Sequence, residues 1–236
     1  MSQQSSATAR SERRWRLAIT ATIAAILLGL TGFAVFLALT PRGTPPAPAA
    51  SGSAEPTVAA AVLVRPDSHR LTDVASPTVT FVEFADFECP GCAGAEPGLA
   101  QVRRDYGDRV LFVARYFPLS QHFNGERSAR AAEAAAQQGR FADMCALLYA
   151  RYDDWANLKV PQDALFRSYA AELGLDLAAW DAAYADPATA ARVQADVEDG
   201  LAAGVTGTPR FFLNGRMIRP QTVAELRQML DAELTP

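Results

Sequence analysis

Polar and apolar residues alternate from Thr78 to Phe84 (Thr-Val-Thr-Phe-Val-Glu-Phe), the period-two pattern of a half-buried strand. The stretch from about Pro90 to Tyr106 predicts a helix closed by Gly107 as a left-handed cap; Pro97, which removes one helical bond, predicts a kink within it. Val110 to Phe117 reads as a second strand stopped by Pro118, so these elements make a βαβ unit. From about Gly125 to Ala203 the pattern is almost wholly helical. Its segments are Ser128 to Gln138, Phe141 to Tyr152, Pro161 to Leu173 closed by Gly174, and Asp176 to Ala203 broken at Pro187. Phe211-Phe212-Leu213 and Arg216-Met217-Ile218 then flank Asn214-Gly215, whose two residues accept the positive φ angles of a type I′ hairpin turn. Thr222 to Glu225 reads as a capping box opening a final helix through Leu234, with Leu226, Met229 and Leu230 on one face. Upstream, Val62-Leu63-Val64 reads as a short strand before the turn-like Arg65-Pro66-Asp67-Ser68.

The N-terminal region follows different rules. No charged residue occurs from Leu17 to Leu39, and at helical rise this run reaches roughly 34 Å, enough to cross a hydrocarbon core. Arg10, Arg13, Arg14 and Arg16 precede it with one nearby acid, Glu12, which keeps the tail in the cytoplasm and puts the chain after Thr40 outside. A cleaved signal peptide is the competing reading, but the run exceeds a usual signal core and the small residues Ala47-Pro48-Ala49-Ala50 lie well beyond its end. The organisation that results is a cytoplasmic tail over 1–16, a transmembrane signal-anchor helix over 17–39, and a Pro/Ala/Gly/Ser-rich linker over 40–57. A helical block, 121–203, then separates two parts of one α/β domain, 58–120 and 204–236. Within 236 residues, 50% hydrophobic and 20% charged, there is room for one such domain plus these appendages. A net charge of -4 offers no basic face for phosphates, which argues against a nucleic-acid partner.

Three cysteines are too few for a disulfide-stapled scaffold, and their odd number leaves at least one without an intrachain partner. Two of them form Cys89-Pro90-Gly91-Cys92 between the first strand and its helix. Cysteines three apart at a helix start can close a small disulfide ring, and the free N–H groups there favour a thiolate, with Cys89, the outer residue, as nucleophile. Glu83 lies six residues earlier on the strand between apolar neighbours. If its side chain points inward, burial raises its pKa and it can take the proton of Cys92; if outward, it is an ordinary strand residue facing solvent. Asp86 and Glu88 place negative charge near Cys89, and no cation stands between the cysteines. Cys145 falls on one helical stripe with Phe141 and Leu148 and reads as a core cysteine. His69 and His122 read as isolated, and Tyr149, Tyr152, Trp155 and Trp180 as packing within the helical block.

The ordered pieces resemble the DsbA-like family of thiol-disulfide oxidoreductases, a thioredoxin fold with an inserted helical subdomain, here preceded by a transmembrane helix. The resemblance covers roughly Val58 to Leu234. It rests on Phe81 to Cys92 (Phe-Val-Glu-Phe-Ala-Asp-Phe-Glu-Cys-Pro-Gly-Cys), Glu96-Pro97, Tyr116-Phe117-Pro118-Leu119, and Gly204 to Pro209 (Gly-Val-Thr-Gly-Thr-Pro). It implies Cys89, Cys92 and Glu83 as catalytic residues and Pro90 and Gly91 as the dipeptide of the active-site motif. It also implies a cis Thr208-Pro209 bond facing the disulfide, with the Thr208 backbone pairing with extended substrate. No cofactor beyond the redox-active Cys89–Cys92 disulfide is implied, and no metal. The expected partners are exported proteins carrying cysteines, a membrane redox partner that recycles the disulfide, and the membrane itself through the N-terminal helix. The expected activity is oxidation of exported cysteine pairs, by an oxidant weaker than relatives with histidine between the cysteines. The alternatives are a reductase or isomerase kept reduced by a membrane electron donor, a non-catalytic client-binding or chaperone module, and a metal carrier.

Overall fold

The alternating runs become the centre of a sheet. A computed structural model describes residues 57–235; the apolar segment 17–39 and its arginine flank lie outside the described residues. Among the described residues, no helix is long and apolar enough to cross a membrane. In chain order the elements are α1 (Ala60–Leu63), β1 (His69–Arg70), β2 (Val79–Ala85), α2 (Pro90–Tyr106), β3 (Val110–Tyr116), α3 (Gly125–Ala136), α4 (Phe141–Ala150) and α5 (Tyr152–Trp155). They continue with α6 (Asp163–Glu172), α7 (Leu177–Ala185), α8 (Pro187–Ala202), β4 (Arg210–Leu213), β5 (Arg216–Ile218) and α9 (Val223–Leu234). The strands lie in the order β1-β3-β2-β4-β5. β2 and β3 are parallel across α2, and the other pairings are antiparallel.

Strand alternation sorts the side chains onto two faces. Val79 and Phe81 of β2 and Val110 and Phe112 of β3 pack with Leu99 and Val102 of α2 and Leu226 and Leu230 of α9. Val82 and Phe84, with Leu111 and Val113, meet Leu63, Ala203, Val205 and Phe212 on the opposite face. The helices between β3 and β4 have their own core, in which five buried alanines of α3 sit among Trp155, Phe166, Tyr169 and Trp180. Small side chains there let α4, α6, α7 and α8 all approach α3. Aspartates open two of these helices: Asp176 accepts from Ala178 and Ala179 N–H at α7, and Asp186 accepts from Ala188 N–H at α8, ahead of Pro187.

Several local expectations are corrected. Val62-Leu63-Val64 is not a strand: Ala60 to Leu63 forms a helical turn, favoured by its alanines, and Arg115 takes the carbonyls of Val62 and Leu63 at 2.9 and 2.7 Å. Gly107 is in the right-handed region, with φ -67° and ψ -12°. Glycine is needed there for close approach, since a Cβ would stand 2.6 Å from the Arg103 carbonyl oxygen and 2.9 Å from Thr72 Cγ2. α2 spans Pro90–Tyr106 as expected, with Pro97 inside it and its buried Leu99, Val102 and Tyr106 held against the sheet. The two-residue edge strand β1 is too short to leave any period in the sequence. The hairpin turn has Asn214 and Gly215 at φ 48° and 83°, as a type I′ turn requires. At α9, Thr222 accepts from Glu225 N–H as expected, while the Glu225 carboxylate reaches back one residue further, to Gln221 N–H.

One buried charge cluster ties the sheet to α8. Arg115 donates to Asp196 at 2.7 Å and to Asp199 at 2.5 Å, and Asp196 also accepts Tyr116 N–H at 3.0 Å. The side chains of Arg115 and Asp196 are fully buried. Truncating one partner of such a pair leaves an uncompensated buried charge, so Asp196→Ala is expected to cost about 3–5 kcal/mol in urea unfolding. A loss below about 1 kcal/mol, the scale of an exposed pair, would mean that this contact does not hold the layers together.

Candidate active site

The loop between β2 and α2 is held by its own acids. Asp86 accepts Glu88 N–H and Leu119 N–H, each at 2.8 Å, and pairs with His122 Nδ1 at 2.6 Å. Its backbone oxygen takes Cys89 N–H at 3.1 Å. Glu88 is wholly buried and accepts the backbone N–H groups of Asn124, at 2.5 Å, and Asn157, at 2.9 Å. Tyr152 donates its hydroxyl to the Glu88 carbonyl at 3.0 Å. Asp86 and Glu88, set against the thiolate by the sequence reading, thus spend their oxygens on backbone amides and His122. Cys89 is fixed from the sheet on one side and from the helical layer on the other.

Cys89 is the N-cap of α2, Pro90 and Gly91 are its first two residues, and Cys92 ends the first turn. Both cysteines are free thiols, 7% and 1% exposed, so the outer sulfur is the one that solvent reaches. The Cys89 thiol donates to the Thr208 carbonyl oxygen at 3.3 Å. The hydrogen bond from the Cys92 thiol pulls the Cys89 pKa down to about 5 in spite of burial, helped by the Thr208 side chain and by the backbone N–H groups of Cys92 and Gly91. Burial drives Cys92 well above the ordinary thiol value, reinforced by its hydrogen bond to Cys89 and by the negative charge of Glu83. One sulfur is therefore a stabilised thiolate and the other a reluctant one. Thr208-Pro209 is cis, and the buried Thr208 Oγ1 has no hydrogen-bond partner while Cys89 is a thiol.

Glu83 shares a face with Val79 and Phe81, the side covered by α2, and is 8% exposed. The solvent-facing reading is excluded. Burial raises its pKa to about 8, the Glu96 charge adds to the rise, and Arg103 opposes it.

A family model described as Thioredoxin matches residues 74–232. The chain belongs to the thioredoxin family. Among solved structures, the fold of this thioredoxin-family chain is similar to alpha-DsbA1 from Wolbachia pipientis, with a TM-score of 0.63 and 20% identity over 73% of this chain and 93% of that one. It is also similar to oxidised BdbD from Bacillus subtilis, with a TM-score of 0.65 and 18% identity over 77% and 98%. A relative from Salinispora tropica named Na(+)/H(+) antiporter NhaA 3 is 40% identical over 166 residues, 70% of this chain and 24% of that protein. The chain thus spans about a quarter of the length of the curated relatives it matches. The thioredoxin-family chain thus carries two free thiols, Cys89 and Cys92, at the start of the helix that follows its central strand.

The structure joins to this site residues that spacing alone did not. His122 pairs with Asp86 rather than standing alone, and His69 pairs with Glu133 at 2.7 Å beside the Tyr116 hydroxyl. Trp155 and Trp180 are core residues, each donating its indole N–H to a backbone carbonyl. Tyr152 and Tyr149 pack against the same helical core and also touch the active-site loop: the first bonds to Glu88, and the second packs its ring 5.2 Å from that of Phe87. Asn124, Asn157 and Tyr152 lie 36 to 69 residues from Glu88, so no local motif could have announced them. Cys145 is partly buried against the helical core, with its pKa raised well above the ordinary value by burial.

Two outcomes follow for titration. In the dithiol form, Cys89 thiolate absorbance is expected to appear with a midpoint near 5; Thr208→Val moves it up and Thr208→Ser restores it, whereas an unmoved midpoint would remove the hydroxyl from the site. Glu83 keeps a proton in the folded chain that the unfolded chain loses between 4.5 and about 8, so stability falls as pH rises through that window. Cys89 acts in the opposite sense in the dithiol, where stability rises with pH between about 5 and 9. In the disulfide form, Glu83→Gln is therefore expected to gain urea-unfolding stability over wild type, increasingly so across the Glu83 window. A slope that Gln leaves unchanged would show Glu83 ionising normally.

Proposed function

We propose that this chain is a membrane-tethered oxidase of exported proteins, its disulfide domain facing outward from the membrane. The observation that carries the oxidising direction is the unequal pair of sulfurs. A thiolate held near pKa 5 at Cys89 stabilises the reduced enzyme, and stabilising the reduced form makes the disulfide a better oxidant. The missing cation between the cysteines limits that gain, which supports an oxidant weaker than relatives with histidine there.

A substrate thiolate attacks Cys89 Sγ, the Cys89–Cys92 bond breaks, and its electron pair goes to Cys92. Glu83, protonated below about pH 8, supplies the proton that neutralises the departing Cys92 sulfur. A second substrate thiolate then attacks the substrate sulfur of the mixed disulfide and expels Cys89, whose low pKa makes it a good leaving group. The substrate gains a disulfide and the enzyme two electrons. A membrane partner accepting them by thiol-disulfide exchange restores the Cys89–Cys92 bond. Extended substrate pairs with the Thr208 backbone beside Pro209, contacts that ignore side-chain identity and suit many clients. The uncharged run 17–39 behind its arginines supports the tether and the outward domain.

In intact cells the wild-type pair is expected to resist alkylation until a reductant is added, because it rests as a disulfide. Cys92→Ser is expected to hold exported proteins covalently on Cys89. A resting dithiol would reverse the direction to reductase or isomerase, and an empty Cys89 in the Cys92→Ser chain would refute covalent exchange altogether.

A further inference from the structure

Two arginines beside the Thr208 loop have no carboxylate to meet. Elsewhere in the fold Arg103, Arg115, Arg127 and Arg167 pair with acids. Among the described residues neither Arg210 nor Arg219 does so, and Arg210 Nε is buried without a hydrogen-bond partner. The Arg219 side chain donates to the Met217 thioether, a weak acceptor, at 4.0 Å. The two arginines are neighbours: Phe211 pairs with Ile218 in the β4–β5 ladder, so the next rung sets Arg210 across from Arg219. Like charges facing each other across a ladder destabilise it, and no acid offsets them here, since burial and the Arg219 charge both lower the Arg210 pKa. The fold gains nothing from this pair, in a chain whose net charge is -4.

Their position supplies a use. Arg210 stands opposite Phe84 in the β2–β4 ladder, two positions after Thr208, whose carbonyl oxygen accepts the Cys89 thiol at 3.3 Å. Pro209, between them, has its Cδ 3.2 Å from where a Cβ on Gly91 would stand. A client strand laid along Thr208 with its sulfur at Cys89 therefore carries its flanking residues past Arg210, roughly 7 Å along the chain. Arg219 is exposed and Arg210 half-buried. We propose that Arg210 and Arg219 form a client-selecting site that grips a carboxylate side chain beside the client's reactive cysteine, so that acidic cysteine-containing segments exchange fastest. This role rests on thiol exchange at Cys89 as read above, in whichever direction electrons flow. The bonds made and broken are those of that exchange, and the arginines only position its partner.

Other tasks for the pair are already filled. Cys89 takes its stabilisation from Cys92, Thr208 and the helix-start N–H groups, so the thiolate does not call for the arginines. Asp86 and Glu88 flank the catalytic loop but give their oxygens to backbone N–H groups and His122. A guanidinium fork matches a carboxylate with two parallel hydrogen bonds, and the half-buried Arg210 suits a single inserted side chain better than a plane of lipid headgroups.

The test offers the oxidised full chain a set of two-cysteine peptides, alike except for Glu, Gln or Lys on both sides of the reactive cysteine, and follows Cys89 by alkylation. Each rate is divided by the same peptide's rate with hydroxyethyl disulfide, a neutral oxidant, which removes the effect of the flanking charge on the peptide thiol itself. The Glu-to-Gln ratio is expected to be roughly ten at low ionic strength and to fall toward one in about 1 M salt, where the screening length is about 3 Å. Arg210→Gln and Arg219→Gln are each expected to lower the ratio and Arg210→Lys to keep most of it. Arg219→Glu, at an exposed position that spares the fold, is expected to turn the preference toward Lys. A wild-type ratio near one, or a ratio that these variants leave unmoved, would overturn the site. An unmoved ratio together with lost binding to phosphatidylglycerol vesicles would overturn it in favour of a lipid surface. Failure of every peptide to react at Cys89 would sink thiol exchange itself and the site with it, whereas equal normalised rates would sink the site alone.

Discussion

The surroundings of Cys89 and Cys92 push their thiols in opposite directions, and this divides a symmetric pair into two unlike groups. Hydrogen bonding favours charge on Cys89, while burial and the nearby Glu83 disfavour it on Cys92. The rest of the site serves that division. The N-terminal amides of α2 and the Thr208 side chain add donors on the Cys89 side, and the sheet face below supplies an acid on the Cys92 side. A helix start alone would bias both sulfurs in the same direction, differing only with distance. What separates them is that one faces outward to Thr208 and the other inward to Glu83.

Keeping that division requires Cys89 to stay in place. The three residues before it achieve this with buried polar groups that are nearly all paired, the condition under which a polar network rigidifies. Asp86 links the loop to Leu119 and His122 after β3, and Glu88 links it to Asn124 and Asn157 in the helical layer. The helical block therefore does more than cover the sheet. By presenting backbone N–H groups to the wholly buried Glu88 side chain, it anchors the loop that carries Cys89.

What the sequence made legible was whatever repeats or sits in a fixed local pattern. Period two exposed β2, an apolar run stopped by Pro118 exposed β3, Asn214-Gly215 gave the hairpin, and Cys89 to Cys92 after a strand marked the chemistry. The parity of β2 even puts Glu83 on the same face as Phe81, but parity alone does not say which face is covered by α2. Illegible were features that depend on distant partners. α1 was misread because Arg115, more than fifty residues on, claims the carbonyls of Val62 and Leu63. His69 and His122 looked solitary because Glu133 and Asp86 reach them only through the fold. Gly107 reads as a left-handed cap, but the actual constraint is the nearness of the Arg103 carbonyl and of Thr72.

Two buried ionisable groups of opposite kind occupy neighbouring rungs of the central strands and face opposite sides of the sheet. Glu83 is opposite Ala114 and Phe84 is opposite Arg115, so strand alternation sends the acid to the α2 face and the guanidinium to the α8 face. Arg115 is met there by two aspartates and two carbonyls, which make it a structural joint. Glu83 is met by a mostly apolar wall, which leaves it protonated over a range where an ordinary carboxylate is not. A slip of one residue in β2 would carry the acid to the side of Arg115, where it would ionise and hold its charge permanently. The sheet register thus decides which buried group is tied into a structural joint and which is left holding its proton against a mostly apolar wall.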